Sequence, residues 1–355
     1  MTANQPMTKP ATFTPDLPPT KPPTAPTRKD FIGADPRWCL GCGNYAVLNA
    51  LTRVFLNSGP PREKFAVISG IGCSSRFPYY SNTYGFHTIH GRAPTVAMGL
   101  KMANPDLNVW VITGDGDGLS IGGNHFLHMM RRNPNIKVVL FNNQIYGLTK
   151  GQTSPTSPLG SKTKSTPGGS FDRPMHPLTV ALGAGATFVA RVPDTDNDML
   201  FQVLNAANQH KGVSIVEILI NCVIFNDGAF TPLTDKTTRP DSTVKLEAGK
   251  PLLFGAAMDQ GIRIKSDRPE IVKVGEGGVP LSEVIVHDPA NPNSGYAFML
   301  AEMHTPVPFG ILRQIDDHVY SQPIVCSSSE NLGKVLRGSS SWAISPDGNI
   351  QSLEK

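Results

Sequence analysis

No stretch of the sequence reaches the roughly 18 consecutive apolar residues that a membrane span requires, and the N-terminus lacks the apolar core of a signal peptide. Cysteine is scarce, five in 355 residues, which excludes a small disulfide-stapled scaffold. Runs of basic residues are also missing: 32 Lys+Arg are scattered against 28 Asp+Glu, for a net charge of +4. That distribution argues against nucleic-acid binding. These absences point to a soluble, cytoplasmic protein that binds neither membrane nor nucleic acid. In that compartment thiols stay reduced, so clustered cysteines read as metal ligands or catalytic groups. What is present is enough apolar material, 39% of the chain, to bury a sizeable core. The length suits about two domains, or one large α/β domain with extensions.

Residues 1–30 hold eight prolines and seven threonines with few bulky apolar side chains, a composition that cannot repay the entropy of ordering and reads as a flexible arm. From Phe31 the pattern becomes apolar runs bounded by glycine, alternating with segments of helical period. This predicts an α/β domain with a mainly parallel sheet flanked by helices, over residues 31–235. The buried-strand candidates are Phe65–Ile71, Asn108–Thr113, Ile136–Phe141, Ala186–Val192 and Val213–Ile220. Leu48, Leu51 and Phe55 form one apolar helical face, and Met199, Leu200, Val203, Leu204 and Ala207 another. Residues 151–175 carry no period and read as a long loop. Residues 236–355 are polar and punctuated by Pro and Gly, with short apolar runs such as Ser282–Val286 and Gly295–Leu300, and read as a loop-rich C-terminal extension.

The predicted strand ending at Thr113 runs into Gly114-Asp115-Gly116-Asp117-Gly118. Glycines there allow close approach of an anionic ligand, and a helix N-terminus beyond them favours phosphate. A dinucleotide fingerprint started at Gly114 needs glycine where Leu119 stands, so a Rossmann reading is weak. The strand 136–141 ends in Asn142-Asn143. Adjacent parallel strands bring Asp115 and Asn143 to the carboxyl edge of the sheet, where α/β folds bind ligands. A carboxylate, an amide oxygen and a carbonyl suit Mg²⁺ shared with a diphosphate. Four cysteines form a second set: Cys39 and Cys42 as C-x-x-C, then Cys73 and Cys222, isolated and distant. Structural zinc usually uses two local pairs, so this spacing favours an iron–sulfur cluster over zinc. Cys326 falls outside the set. His125 and His128, on a predicted helix, take no role.

Gly114-Asp115-Gly116, twenty-five residues, then Asn142-Asn143 resembles the diphosphate-binding motif of thiamine diphosphate enzymes. The resemblance implies Asp115, Asn143 and the Ile145 carbonyl as Mg²⁺ ligands, with Gly116 and Asp117 lining the diphosphate. Trp38-Cys39-Leu40-Gly41-Cys42-Gly43, Gly70-Ile71-Gly72-Cys73-Ser74-Ser75-Arg76, His90-Gly91-Arg92-Ala93 and Tyr146 through Gln152, in that order, resemble the beta subunit of 2-oxoacid:ferredoxin oxidoreductases over residues 31 to about 235. Within that family the chain is most similar to members acting on 2-oxoglutarate. The resemblance implies a thiamine diphosphate-binding fold and a [4Fe-4S] cluster on Cys39, Cys42, Cys73 and Cys222. It implies cofactor contacts from Ile71, Gly72, Cys73, Ser74, His90, Gly147 and Leu148, and binding of the 2-oxoacid carboxylates by Arg76 and Lys150. The implied reaction is oxidative decarboxylation to acyl-CoA and CO₂, with electrons passed through the cluster to ferredoxin. No second α/β domain is present to supply the glutamate that activates the aminopyrimidine, so an alpha subunit carrying a pyrimidine-binding domain is implied, and the chain alone is expected to be inactive. Competing readings are a pyruvate or broad-specificity member, a non-redox thiamine diphosphate decarboxylase or synthase without iron, and a zinc-stabilised binding module without catalysis.

Overall fold

Apolar runs too short for helices and bounded by glycine become strands buried on both faces, which is the signature of a covered parallel sheet. In the computed structural model these are β1 (Phe65–Ser69), β3 (Asn108–Gly114), β4 (Ile136–Asn142), β5 (Phe188–Pro193) and β6 (Ser214–Leu219), the five strands expected from the sequence. The structure describes residues 26–266 and 268–320 and the strands Trp342–Ile344 and Ile350–Ser352; most of the expected arm, and Cys326, lie outside the described residues. Further strands are β2 (Tyr84–His87), β7 (Thr243–Lys245), β8 (Leu253–Phe254), β9 (Gln260–Lys265), β10 (Arg268–Lys273) and β11 (Val307–Gln314).

The main sheet runs in the order β2-β1-β3-β4-β6-β5-β11-β7. Its first six strands are parallel. Successive residues of each strand feed opposite layers: Val109 and Val111 of β3 pack into one hydrophobic cluster, Trp110 and Ile112 into the other. The second cluster is covered by the helices Asn44–Asn57 and Asn197–Gln209. Both apolar faces expected there are in place: Met199, Leu200, Val203, Leu204 and Ala207 are buried, as are Leu51 and Phe55, with Leu48 half-buried. Helices Ala93–Ala103, Gly123–Arg132 and Pro177–Gly183 cover the first.

The loop-rich extension needs correction. Residues 243–314 hold five strands and the helix Ser294–Glu302. β11 pairs antiparallel with β5 and parallel with β7, so this segment extends the main sheet. Leu246, Leu252, Phe254, Ile262, Leu300 and Leu312 join the first cluster. These apolar runs are too short to declare a period amid Pro and Gly, and they acquire strand geometry only by pairing with the edge of a sheet already formed. Among the described residues, no helix is long and apolar enough to cross a membrane.

The sheet carries its function at one end. After β1 the next strand, β2, is added on one side and β3 on the other, so strand order reverses at β1. Such a switch point opens a crevice outside the carboxyl ends of the strands.

Candidate active site

The crevice is a cavity of about 390 Å³ lined by the loops that follow β1, β2, β3, β4 and β6 and by residues between 37 and 44. It gathers every residue singled out from the sequence: Cys39, Cys42, Ile71, Gly72, Cys73, Ser74, Arg76, His90, Asp115, Gly116, Asp117, Asn143, Ile145, Gly147, Leu148, Lys150 and Cys222.

Two carboxylates stand on one short helix, Asp115–Leu119. Asp117 is saturated: its Oδ1 accepts from the Ile71 and Gly91 backbone N–H groups at 3.0 and 2.8 Å and from His90 Nδ1 at 2.6 Å, and its Oδ2 from Thr113 Oγ1 at 2.7 Å. It therefore ties together the loops after β1 and β2 and orients the His90 ring. Gly70 has no room for a side chain because a Cβ there would lie 1.9 Å from the Asp117 carboxylate. Asp115 is different. It is buried, and its side-chain hydrogen-bond partners among the described residues are two hydroxyls, Ser154 Oγ and Thr156 Oγ1, each 2.6 Å from Oδ2. Burial pushes its carboxyl up to about 6, against the pull of those two hydroxyls. Both belong to the long 151–175 loop, so part of that loop serves to line this carboxylate.

Beyond β4, Asn142 Oδ1 accepts from Gln144 N and Asn143 Oδ1 from Ile145 N, each at 3.2 Å, a pair of Asx turns. Asn226 Nδ2 donates to the Asn143 carbonyl at 2.9 Å. Tyr146 lays its ring against Gly116 and donates its hydroxyl to the Gly116 carbonyl at 3.0 Å. A Cβ at Gly116 would sit 2.2 Å from that ring, so Tyr146 requires the glycine.

The four cysteines occupy the other end. A Cβ at Gly147 would lie 3.5 Å from Cys73 Sγ and 3.7 Å from Cys222 Sγ, so these two thiols converge on one glycine. Burial pushes the Cys42 thiol up to about 11, with repulsion from Cys73, Cys222 and Cys39 adding to it; Cys73 is raised for the same reasons and lowered by Arg76. Trp38 Nε1 donates to the Cys73 carbonyl at 2.7 Å, joining the C-x-x-C turn to the loop after β1. Among the described residues, no three His, Cys, Asp or Glu side chains are close enough to share a single metal ion. A zinc ion needs its ligands about 2.3 Å from one centre, whereas the thiolates of an iron–sulfur cluster bind separate irons. Arg76 is half-buried and Lys150 exposed. Arg37, which sequence reasoning missed, is a third cation in the wall. Also missed were Ser154 and Thr156, whose loop has no period, and Asn44, whose only signal was its place after the second cysteine.

Residues 70–218 match the family model "Thiamine pyrophosphate enzyme, C-terminal TPP binding domain". The chain is 47% identical over 333 residues to "2-oxoglutarate oxidoreductase subunit KorB" of Mycobacterium tuberculosis, covering 89% of this chain and 88% of that one. The chain belongs to the 2-oxoacid:ferredoxin oxidoreductase beta subunits. A beta subunit named "2-oxoacid:ferredoxin oxidoreductase 1" from Aeropyrum pernix is 45% identical over 190 residues, 54% of this chain and 60% of that one. The structure superposes with a TM-score of 0.67 and 35% identity, over 86% of this chain and 90% of the other, on a 2-oxoglutarate:ferredoxin oxidoreductase from Magnetococcus marinus solved with 2-oxoglutarate, coenzyme A and succinyl-CoA bound. The chain is thus an oxidoreductase subunit with a thiamine diphosphate-binding domain, one part of a multi-subunit enzyme. The non-redox and zinc-module readings give way to this family.

Proposed function

We propose that this chain is the beta subunit of a 2-oxoglutarate:ferredoxin oxidoreductase acting in the cytoplasm with an alpha subunit that supplies the pyrimidine-binding domain. The observation that carries the reading is the pairing, in one cavity, of a buried carboxylate lacking a cation with four cysteines from three separate segments.

The residues fit the groups the family implies. Asp115 is a buried anion without a positive partner, a costly state that a cation relieves; with Asn143 and the Ile145 carbonyl it makes the hard oxygen set that Mg²⁺ prefers. Gly72, at φ +138° and with open space where a Cβ would point, and Gly114, where a Cβ would meet nothing nearer than Ser74 Oγ at 3.7 Å, leave backbone accessible for a cofactor's approach. Cys39, Cys42, Cys73 and Cys222 are the four-thiol set of a [4Fe-4S] cluster. When bound, thiamine diphosphate stabilises the carbanion left as a 2-oxoacid loses carbon dioxide, and the cluster accepts electrons singly. The chain's own residues do the positioning. Asp117 holds the loop of Ile71 through Ser74 and the His90 ring against the cofactor space. Tyr146, Gly147 and Leu148 close its diphosphate side. Arg76 and Lys150, with Arg37 beside them, hold the substrate carboxylates, and three wall cations suit a dianion better than a monoanion. The acyl group goes to coenzyme A and the electrons to ferredoxin. Leu40, Leu148 and Ile224 are exposed at the cysteine end, apolar surface of the kind a partner subunit covers.

The test is anaerobic purification with the partner polypeptide, then iron, sulfide and zinc analysis and an assay of 2-oxoglutarate-dependent ferredoxin reduction. About four irons and four sulfides per chain, with turnover requiring thiamine diphosphate, Mg²⁺ and coenzyme A, is the expected result. Zinc or no metal, indifference to Asp115→Ala, or full turnover by the isolated chain overturns the reading.

A further inference from the structure

The C-x-x-C turn leads directly into the helix Asn44–Asn57: Cys42 N donates to the Cys39 carbonyl at 3.1 Å, and Tyr45 N to the Cys42 carbonyl at 3.3 Å. This places the amino end of a 14-residue helix, with its unpaired N–H groups and partial positive charge, against Cys42.

The Asn44 side chain adds an independent observation. It is 0% exposed, and neither Nδ2 nor Oδ1 has a hydrogen-bond partner among the described residues. Three other described residues bury an unpartnered side-chain polar atom, Ser75, Trp110 and His128 with one each; among the four, Asn44 alone has two such atoms and alone lines the cavity. A buried amide without partners costs about 1–3 kcal/mol per atom, and a leucine of similar shape would carry no such cost. An acceptor at the sulfur end would remove the Nδ2 part of it. An iron–sulfur cluster presents acceptor sulfurs and no donors, so the amide pairs with it through Nδ2–H.

We propose that Asn44 donates a side-chain N–H···S hydrogen bond to the cluster or its cysteinyl sulfurs and, with the helix N-terminus, raises the cluster's reduction potential. The inference rests on the cluster reading above. Its physical basis is that the reduced cluster carries one more negative charge, so a donor aimed at sulfur stabilises the reduced form more than the oxidised one. Asn44 is a positioning and tuning residue, with no contact to the 2-oxoacid required.

The experiment uses the anaerobically purified complex with its partner subunit and reads the cluster by spectroscopically monitored redox titration. In Asn44→Leu the reduced-to-oxidised ratio at a fixed ambient potential is expected to fall by up to about tenfold, a shift of 59 mV to more negative potential for a one-electron couple. Asn44→Asp, which keeps the shape and replaces the donor by a negative charge, is expected to shift further in the same direction. An unchanged potential in both variants with full iron content overturns the inference and leaves the cluster reading intact. Absence of iron from the unsubstituted complex overturns the cluster reading itself. If the substituted proteins fold but lose iron, Asn44→Ser decides: a hydroxyl donor that restores iron and moves the potential back toward the unsubstituted value supports the inference, and iron loss that serine does not repair overturns it.

Discussion

Both edges of the sheet bury polar side chains, and only one edge satisfies them from within the chain. At the amino edge, Asn133 Oδ1 accepts from Thr187 Oγ1 and Val213 N at 2.9 and 2.8 Å, and Asn133 Nδ2 donates to the His318 carbonyl at 2.9 Å. Lys137 Nζ donates to Asn135 Oδ1 and to the His210 and Gly212 carbonyls, and Thr187 Oγ1 meets His210 Nε2 at 2.8 Å. Burial and Lys101 lower the Lys137 amine to about 7, yet no donor or acceptor named here is left over. At the carboxyl edge, among the described residues, the buried Asp115 carboxylate has no cation beside it, the Asn44 side chain has no hydrogen-bond partner, and the Cys73 and Cys222 thiols meet beside Gly147. Buried polar groups are normally paired. The completed cluster is therefore structural, and the incomplete one is where the proposed function places its ligands.

The comparison breaks most sharply at the cysteines. Cys73→Ser is expected to abolish cluster binding and lower turnover by at least about 100-fold, more than the loss of an outer-shell partner costs, while leaving the melting temperature of the metal-free chain nearly unchanged. Iron analysis with calorimetry checks both halves.

Asp115→Asn separates ligand binding from stability. Mg²⁺-dependent cofactor affinity is expected to fall about 10- to 100-fold, measured by titration calorimetry. Stability of the metal-free chain moves the other way. The Asp115 carboxyl is raised to about 6 from 3.8, so the folded state holds its proton more tightly than the unfolded state. Its contribution is intact below pH 3.8 and is lost as pH rises through 6. Near pH 7 the charged carboxylate costs about 3 kcal/mol, at 1.36 kcal/mol per pKa unit. The asparagine variant is expected to unfold at higher urea concentration there, and excess Mg²⁺ with cofactor is expected to narrow the gap.

At the completed edge the pH response has the opposite sign. His210 is held down to about 4 from 6.5, by burial first and Lys137 second. The unfolded chain binds that proton more tightly, so stability is full above pH 6.5 and is lost as pH falls toward 4. The loss is about 3 kcal/mol, and His210→Gln is expected to flatten it in urea titrations at pH 7 and pH 4.5. The smallest expected effect is at Thr156→Val, which removes one of two hydroxyls from Asp115. One lost hydrogen bond of ~1 kcal/mol weakens Mg²⁺-dependent cofactor binding about fivefold, with the fold unchanged.

Much of this was legible in the chain. The five central strands are long enough in apolar residues, and cleanly enough bounded, that period alone reveals them. Gly114 through Gly118 and Asn142-Asn143 sit at strand ends by sequence, so the topology had to bring them to one edge. Ser154, Thr156 and Asn44 were not legible, because each matters only through what faces it across 39, 41 or fewer positions of folded chain. β7 and β11 were hidden for a related reason: a short apolar run becomes a strand when a neighbouring edge supplies its hydrogen bonds.

The sequence by itself determined the α/β class, the central strands and the two motifs proposed to hold ligands, since these follow from local hydrophobic period, glycine placement and residue chemistry. Tertiary structure alone decided that Asp117 is saturated while Asp115 is not, that the Cys73 and Cys222 thiols meet beside a glycine, and that β7 and β11 extend the sheet. Those outcomes depend on burial and on which donors arrive from distant segments, and both exist only once the chain is packed.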